Sequence, residues 1–297
     1  MEDRGRGRPQ TAMNDVVTQE DDDDFVILDI PEVLPALTNE LNTTIYQALP
    51  ESTQAERCRF LVDRNGDTKL AIIKLGNYLD WRHRHHCDDG ISCHFDSSWT
   101  YATQLALRAD EELKPSNVDK QHKNRTDINT SMKLPCTLFT FEHDEKKYLL
   151  HLPARIDTQL ASTSVYALAL AIYIDHVLDR SSMEKIILVI DVRAGLGWAN
   201  ISAINLIPFI QSTVRLLCDL HPTRLDRCII FPVPVVANII WKAVKPFVGK
   251  ETVQKICLIS GLGAGMNDKV PEKVNKYLDC ELLKKFETTR MDCFSKQ

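Results

Sequence analysis

The chain has no apolar run long enough to cross a bilayer. Its longest, Cys228–Trp241, holds two prolines and an asparagine and falls well short of the roughly 20 residues a spanning helix needs. The first residues, Met1-Glu2-Asp3-Arg4-Gly5-Arg6, are polar and supply no apolar core for a secretory signal. Positive charge is not in excess: the net charge is -5, so the basic face that nucleic-acid binding requires is not expected. Cys-x-x-Cys pairs are missing, and the nine cysteines are an odd, scattered set, which fits reduced thiols in the cytosol rather than a disulfide framework. A Gly-x-Ser-x-Gly elbow, a Ser-His-Asp arrangement and an evident carboxylate pair are all wanting. The expectation is a non-enzymatic protein without a cofactor, cytoplasmic and at most transiently peripheral to membranes.

What the chain does have is apolar content of 44% over 297 residues, enough to bury a sizeable core. Residues 1–30 read as a disordered tail, with the acidic run Glu20–Asp24 followed by Phe25-Val26-Ile27-Leu28, a local tether or a docking peptide for a protein partner. Residues 31–95 read as a small helical lobe. Leu34, Leu37, Leu41 and Ile45 recur at three and four. Phe60, Leu61, Leu70, Ile73, Leu75, Leu79 and Trp81 continue the pattern, with Asn65-Gly66 as the break between two helices. Residues 96–133 read as a polar linker or insertion, and whether 87–132 adds a helix to the lobe stays open. Residues 134–290 alternate strands with helices. Thr137–Phe141 and Tyr148–Leu152 flank a charged turn, and Thr158–Leu178 and Asn200–Leu220 carry helical spacing. Ile186–Ile190 is a branched run suited to a strand buried on both faces. The class is α/β, a sheet covered by helices.

Several tempting patterns fail on chemistry. Gly261-Leu262-Gly263-Ala264-Gly265 follows a strand, but Met266 stands where a dinucleotide fingerprint needs its third glycine. Cys58…Arg64 and Cys218…Arg224 have phosphatase spacing. Cys58 lies in a helical pattern, however, and Pro222 removes a backbone N–H that a phosphate cradle would use. His83, His85, His86, Cys87, Cys93 and His94 are dense in zinc-type ligands but lack their spacing. They read as the basic end of the Trp81 helix, and no metal site is assigned.

Residues 220–261 carry the most information. A polar turn, Pro222-Thr223-Arg224, leads into the apolar strand Cys228–Phe231. Pro232 and Pro234 interrupt it, an apolar helical pattern runs from Val236 to Val248 through Lys245-Pro246-Phe247, and Thr252-Val253-Gln254-Lys255-Ile256 opens a second strand. This order resembles the signature of the CRAL-TRIO family of retinaldehyde-binding, tocopherol-transfer and yeast phosphatidylinositol-transfer proteins. Arg59-Phe60-Leu61, Leu79-Asp80-Trp81-Arg82 and Asp191–Gly195 add partial matches.

The resemblance implies a helical lobe plus a mixed β-sheet flanked by helices, enclosing an apolar lipid pocket closed by a gate helix. It implies a lipid ligand and a membrane at which the ligand exchanges. Ile190, Val192, Phe231, Val233, Ile240, Trp241, Val244 and Phe247 are the expected lining or gate residues. On residues alone each reads equally well as packed interior. Lys242 and Lys245, beside the gate stripe, would favour an anionic surface, or are simply solvated helix charges. Thr223, Arg224 and Lys255 are the expected headgroup residues, with Thr223 standing where inositol-lipid binders carry glutamate. The implied function is binding and transfer of a phospholipid or other small lipid. The alternative is a regulatory module of the same type that binds a signalling partner such as a small GTPase.

Overall fold

The computed structural model describes residues 39–85, 87, 98–113, 133–233, 241–242, 245–248, 250–261 and 264–295, with backbone only at 98, 113, 247, 250 and 295. Phe25–Leu28, Ile240, Val244 and the cluster members His86, Cys93 and His94 lie outside these residues.

Three helices form the lobe: α1 (Asn39–Ala48), α2 (Gln54–Asp63) and α3 (Thr68–Arg84). A capping box starts α2, where Glu56 N–H donates to Thr53 Oγ1 at 3.1 Å and Thr53 N–H donates to Glu56 Oε2 at 2.8 Å. Two of the helix's orphan donors are thereby satisfied. Asn65 and Gly66 both take positive φ and make the break, and Asp67 caps α3. The buried face of α3 is Ala71, Leu75, Tyr78, Leu79, Trp81 and Arg82. Leu70 and Ile73, expected on that face, are instead exposed by 49% and 60%. The stripe that reaches the core follows 71, 75, 78 and 82, a register that the polar identities of Tyr78 and Arg82 conceal.

The expected linker 96–133 is corrected over its first half. Residues Ser98–Leu113 form helix α4, which buries Trp99, Tyr101, Ala102, Leu105 and Ala106 in the same core as the lobe and the sheet. Trp99 Nε1 donates to Pro135 O at 3.0 Å, and its ring meets Tyr173 edge-on at 6.0 Å. Four aromatic or aliphatic side chains on one face outweigh the charges of Asp110, Glu111 and Glu112 on the last turn.

The sheet has five strands in chain order, β1 (Leu138–His143), β2 (Lys146–His151), β3 (Ile186–Asp191), β4 (Leu225–Val233) and β5 (Ile256–Ser260). The first pair is antiparallel and the others are parallel, so the sheet is mixed. Helix α5 (Thr163–Val177) joins β2 to β3 and α6 (Ile207–Leu220) joins β3 to β4. Successive right-handed crossovers between neighbouring strands place their helices on one face of the sheet. Helix α6 starts later than its periodicity suggests because Pro208 occupies the first turn, where its missing N–H costs nothing.

Side chains alternate between two cores. Leu138, Leu149, Ile186, Leu188 and Cys228 pack with α5 and α6. Tyr148, Leu150, Ile187, Val189, Ile229, Phe231, Cys257 and Ile259 pack on the other face. After β4 come a 3-10 turn at Lys245–Phe247 and the short helix α7 (Lys250–Gln254). The last helix, α8 (Cys280–Ser295), covers the second face with Leu282, Phe286 and Phe294. Among the described residues no helix is long and apolar enough to cross a membrane.

Candidate functional site

The register of the sheet brings one row of side chains together on the face shared with α5 and α6. His151 of β2 pairs with Ile190 of β3, Ile190 with Ile230 of β4, and Ile230 with Leu258 of β5. Directly paired residues project to the same side. Exposure rises along this row: His151 is 2% exposed, Ile190 and Ile230 are half-buried, and Leu258 is 39% exposed. The helix α6 covers the first strands, laying Phe209 flat on the His151 ring at 5.5 Å. The chain between β4 and β5 runs over residues 234–255, of which 241–242, 245–248 and 250–255 are described. Of the expected gate, Trp241 is half-buried and Lys242 and Lys245 are exposed. Phe247 lies in the 3-10 turn, and its side chain is among those not described.

The structure divides the expected lining residues. Ile190 and Val192 share the α6 side, and Val192 N–H donates to Phe231 O at 2.8 Å as the β3–β4 pairing continues. Phe231 lies apart from Ile190. It is 1% exposed and packs with Val189, Ile229 and Ile259 on the opposite face, where the Arg193 guanidinium lies 6.0 Å from its ring. Period-two alternation puts Ile190 and Phe231, one register step apart, on opposite faces, so both cannot line one cavity. Ile230 and Leu258, which the sequence reading passed over, share the row with Ile190. No local signal finds Ile230, because the residue of β4 that stands beside Ile190 is set by the strand pairing. Val233 closes β4 opposite Ser260.

The expected headgroup residues sit elsewhere. Thr223, Arg224 and Lys255 lie at the end of the sheet where β4 and β5 begin, whereas Ile230 lies past the middle of β4 and Leu258 at the middle of β5. Six residues of strand, roughly 20 Å, separate Arg224 from Ile230. Arg224 is 3% exposed. Its guanidinium donates to Glu184 O at 2.7 Å, to Ser182 Oγ at 3.4 Å and to Asp179 O. Thr223 takes φ 62° to make the turn. Arg224 thus clasps the loop between α5 and β3. Lys255 joins the ladder through its carbonyl, which accepts from Cys228 N–H at 2.8 Å. Its ammonium has no ion-pair partner among the described residues.

The same loop is clasped from the lobe. Arg59 donates to Ser182 O at 2.6 Å and to Arg180 O at 3.3 Å. Arg180 forks onto the fully buried carboxylate of Glu56, Nε to Oε1 at 2.7 Å and a terminal nitrogen to Oε2 at 3.1 Å. Tyr78 donates to Asp175 at 2.7 Å, and Arg82 pairs with the same carboxylate. Burial and the neighbouring Arg224 lower the Arg59 pKa to about 10. A small polar crevice lies among Arg59, Tyr78, Asp175, Arg180, His221 and Arg224. Its donors are already spent on carbonyls and carboxylates, so this is the joint between lobe and sheet rather than a ligand site.

The second face holds a comparable lock. Arg193 grips Asp191 through Nε at 3.0 Å and donates to Asp268 O at 2.9 Å, while also pairing with Glu287 of α8. Arg290 donates to Ala194 O at 2.5 Å. Gly195 lies against the Phe294 ring so closely that any Cβ would overlap it. The expected Asp191–Gly195 motif is therefore where α8 docks. Among the described residues one group has metal-type geometry, His143 with Asp144 and Asp279. There His143 bonds Asp279 at 2.5 Å across an exposed turn, a tether of the β1–β2 turn to the start of α8.

With this geometry in place, the comparisons are informative. A family model described as the CRAL/TRIO domain matches residues 131–286, more than half of the chain. No curated protein sequence matches. Among solved structures, the chain is similar to one described as "Crystal structure of Sfh5". The two are 13% identical, with a TM-score of 0.48 over 80% of this chain and 81% of that one.

Proposed function

Because the chain belongs to the CRAL/TRIO domain family, a family of lipid-binding domains, we propose that it binds one small lipid against the α6 side of its sheet and exchanges it at a membrane. The observation that carries this reading is the row Ile190–Ile230–Leu258. Interior strands of a parallel sheet are normally covered on both faces, yet Ile190 and Ile230 on interior strands are only half-buried, and the row opens further at Leu258 on the edge strand β5. Burying apolar surface yields about 25 cal/mol per Å², so one hydrocarbon chain laid along the row would bind substantially. The crossover from β4 to β5 is the element that would cover the ligand and must move to release it. Trp241, Val244 and Phe247 would then be the stripe that meets the bilayer, helped by Lys242 and Lys245 where the surface is anionic. We read the protein as a carrier rather than an enzyme, in keeping with a family whose members are generally not catalytic.

The headgroup is small on this reading. Thr223 offers a hydroxyl where an inositol-lipid site needs a carboxylate, and Arg224 is already engaged. The test is native mass spectrometry with lipid extraction on the purified full chain, followed by uptake of fluorescent lipid from vesicles. The expected result is a co-purified lipid near one per chain, with uptake reduced about tenfold or more in Leu258→Glu. Protein that is empty and takes up no lipid from vesicles of any composition overturns the proposal.

A further inference from the structure

His151 is the one imidazole in the row just described, and its ring is stacked on Phe209. Its ring lies between β2 and Phe209 at 2% exposure, and its Nε2 has no hydrogen-bond partner. Burial alone lowers its pKa to about 3, so the ring is neutral and carries one donor and one acceptor nitrogen. Buried polar side chains in folded proteins almost always find a partner, and an orphan calls for an explanation such as a catalytic group or a missing ligand. A second orphan stands on the facing helix. Thr213 lies one turn beyond Phe209 on the buried face of α6, and its Oγ1 also lacks a partner. Two unmatched polar atoms thus belong to packed neighbours, one to the sheet and one to the helix laid on it.

We propose that His151 Nε2 is the hydrogen-bonding partner of a hydroxyl or carbonyl oxygen on the inward end of the ligand, so that the site selects neutral lipids carrying such an oxygen. This rests on the lipid-pocket reading above and adds to it which end of the ligand enters and what that end must carry. The hydrocarbon lies along Ile190, Ile230 and Leu258 towards the β5 side. The oxygen reaches the covered side under Phe209. A charged headgroup is excluded from that end, because nothing of opposite charge stands beside the neutral ring to offset its desolvation. Thr213 Oγ1 is placed on the same side as an accessory donor or acceptor.

The experiment compares two matched probes, pyrene-labelled hexadecanol and pyrene-labelled hexadecane, delivered to the full chain from phosphatidylcholine vesicles and read by energy transfer from tryptophan. The wild-type protein is expected to prefer the alcohol about tenfold, the worth of one well-made buried hydrogen bond. In His151→Phe, which keeps the stack on Phe209, the preference is expected to fall to about one. In His151→Gln, which keeps a polar tip, part of it should return. On the wild-type protein the ring-nitrogen resonance of His151 should shift with the alcohol and stay in place with the alkane, a readout that survives if the variants fail to fold. Equal binding of both probes by the wild type, a preference retained in folded His151→Phe, or an unmoved ring resonance overturns the assignment of His151 and leaves the lipid pocket standing. Binding of neither probe overturns the pocket and the assignment together.

Discussion

Arg224 shows how far one residue's role depends on where its neighbours bring their carbonyls. In the sequence it stands in a Pro-Thr-Arg turn and resembles a headgroup ligand. In the folded chain its guanidinium is consumed by Asp179, Ser182 and Glu184. Arg224→Met should leave those buried carbonyls unpaired and lower stability by about 2 kcal/mol or more. Urea unfolding would measure this, and lipid uptake by the folded fraction should be unchanged. A stable variant that cannot take up lipid would restore Arg224 to the ligand site. The sequence offers no sign of this clasp, because its partners are two main-chain carbonyls and a serine hydroxyl lying some forty residues away in the chain.

Elements were legible where a local rule decides them. The Asn65-Gly66 break and the branched run of β3 both came from neighbours in sequence, and the structure has each. Helix α4 was not legible, because its polar last turn and its surroundings mask a stripe of Trp99, Ala102, Leu105 and Ala106. The expected outcome of Trp99→Ala is a loss of about 3–5 kcal/mol, the cost of emptying a large core site, measured by thermal or denaturant unfolding. A loss under about 1 kcal/mol would mean that residues 98–113 are the loose insertion that their composition suggests. Register is the other element-scale lesson. Each strand's alternation was readable, yet only the pairing of Ile190 with Ile230, and of Ile230 with Leu258, decides which residues share a wall.

At the scale of the whole molecule the buried His151 couples folding to pH. Its folded pKa is lowered from 6.5 to about 3 by burial. Between those values the unfolded chain binds a proton that the native ring refuses, so stability rises with pH through this window and is lost as pH falls. Above about 6.5 both states are neutral and the contribution is flat. The slope from this one group is about 1.4 kcal/mol per pH unit. Urea unfolding of His151→Phe between pH 6.5 and 4 should be shallower than wild type by that amount. Equal slopes would mean that the native ring is protonated, and hence more exposed than its position under Phe209 implies.

The sequence alone determined the class of the fold, the order of its strands and crossovers, and membership in a family that binds lipids. Those are consequences of periodicity, turn chemistry and a motif whose residues are consecutive. Only the tertiary structure decided that Phe231 belongs to the face under α8, that Arg224 holds a loop, and that His151 meets an open apolar row without a partner. Each of these depends on which strands pair, in which register, and on what packs above them, and those distances between remote segments are written in no local stretch of the chain.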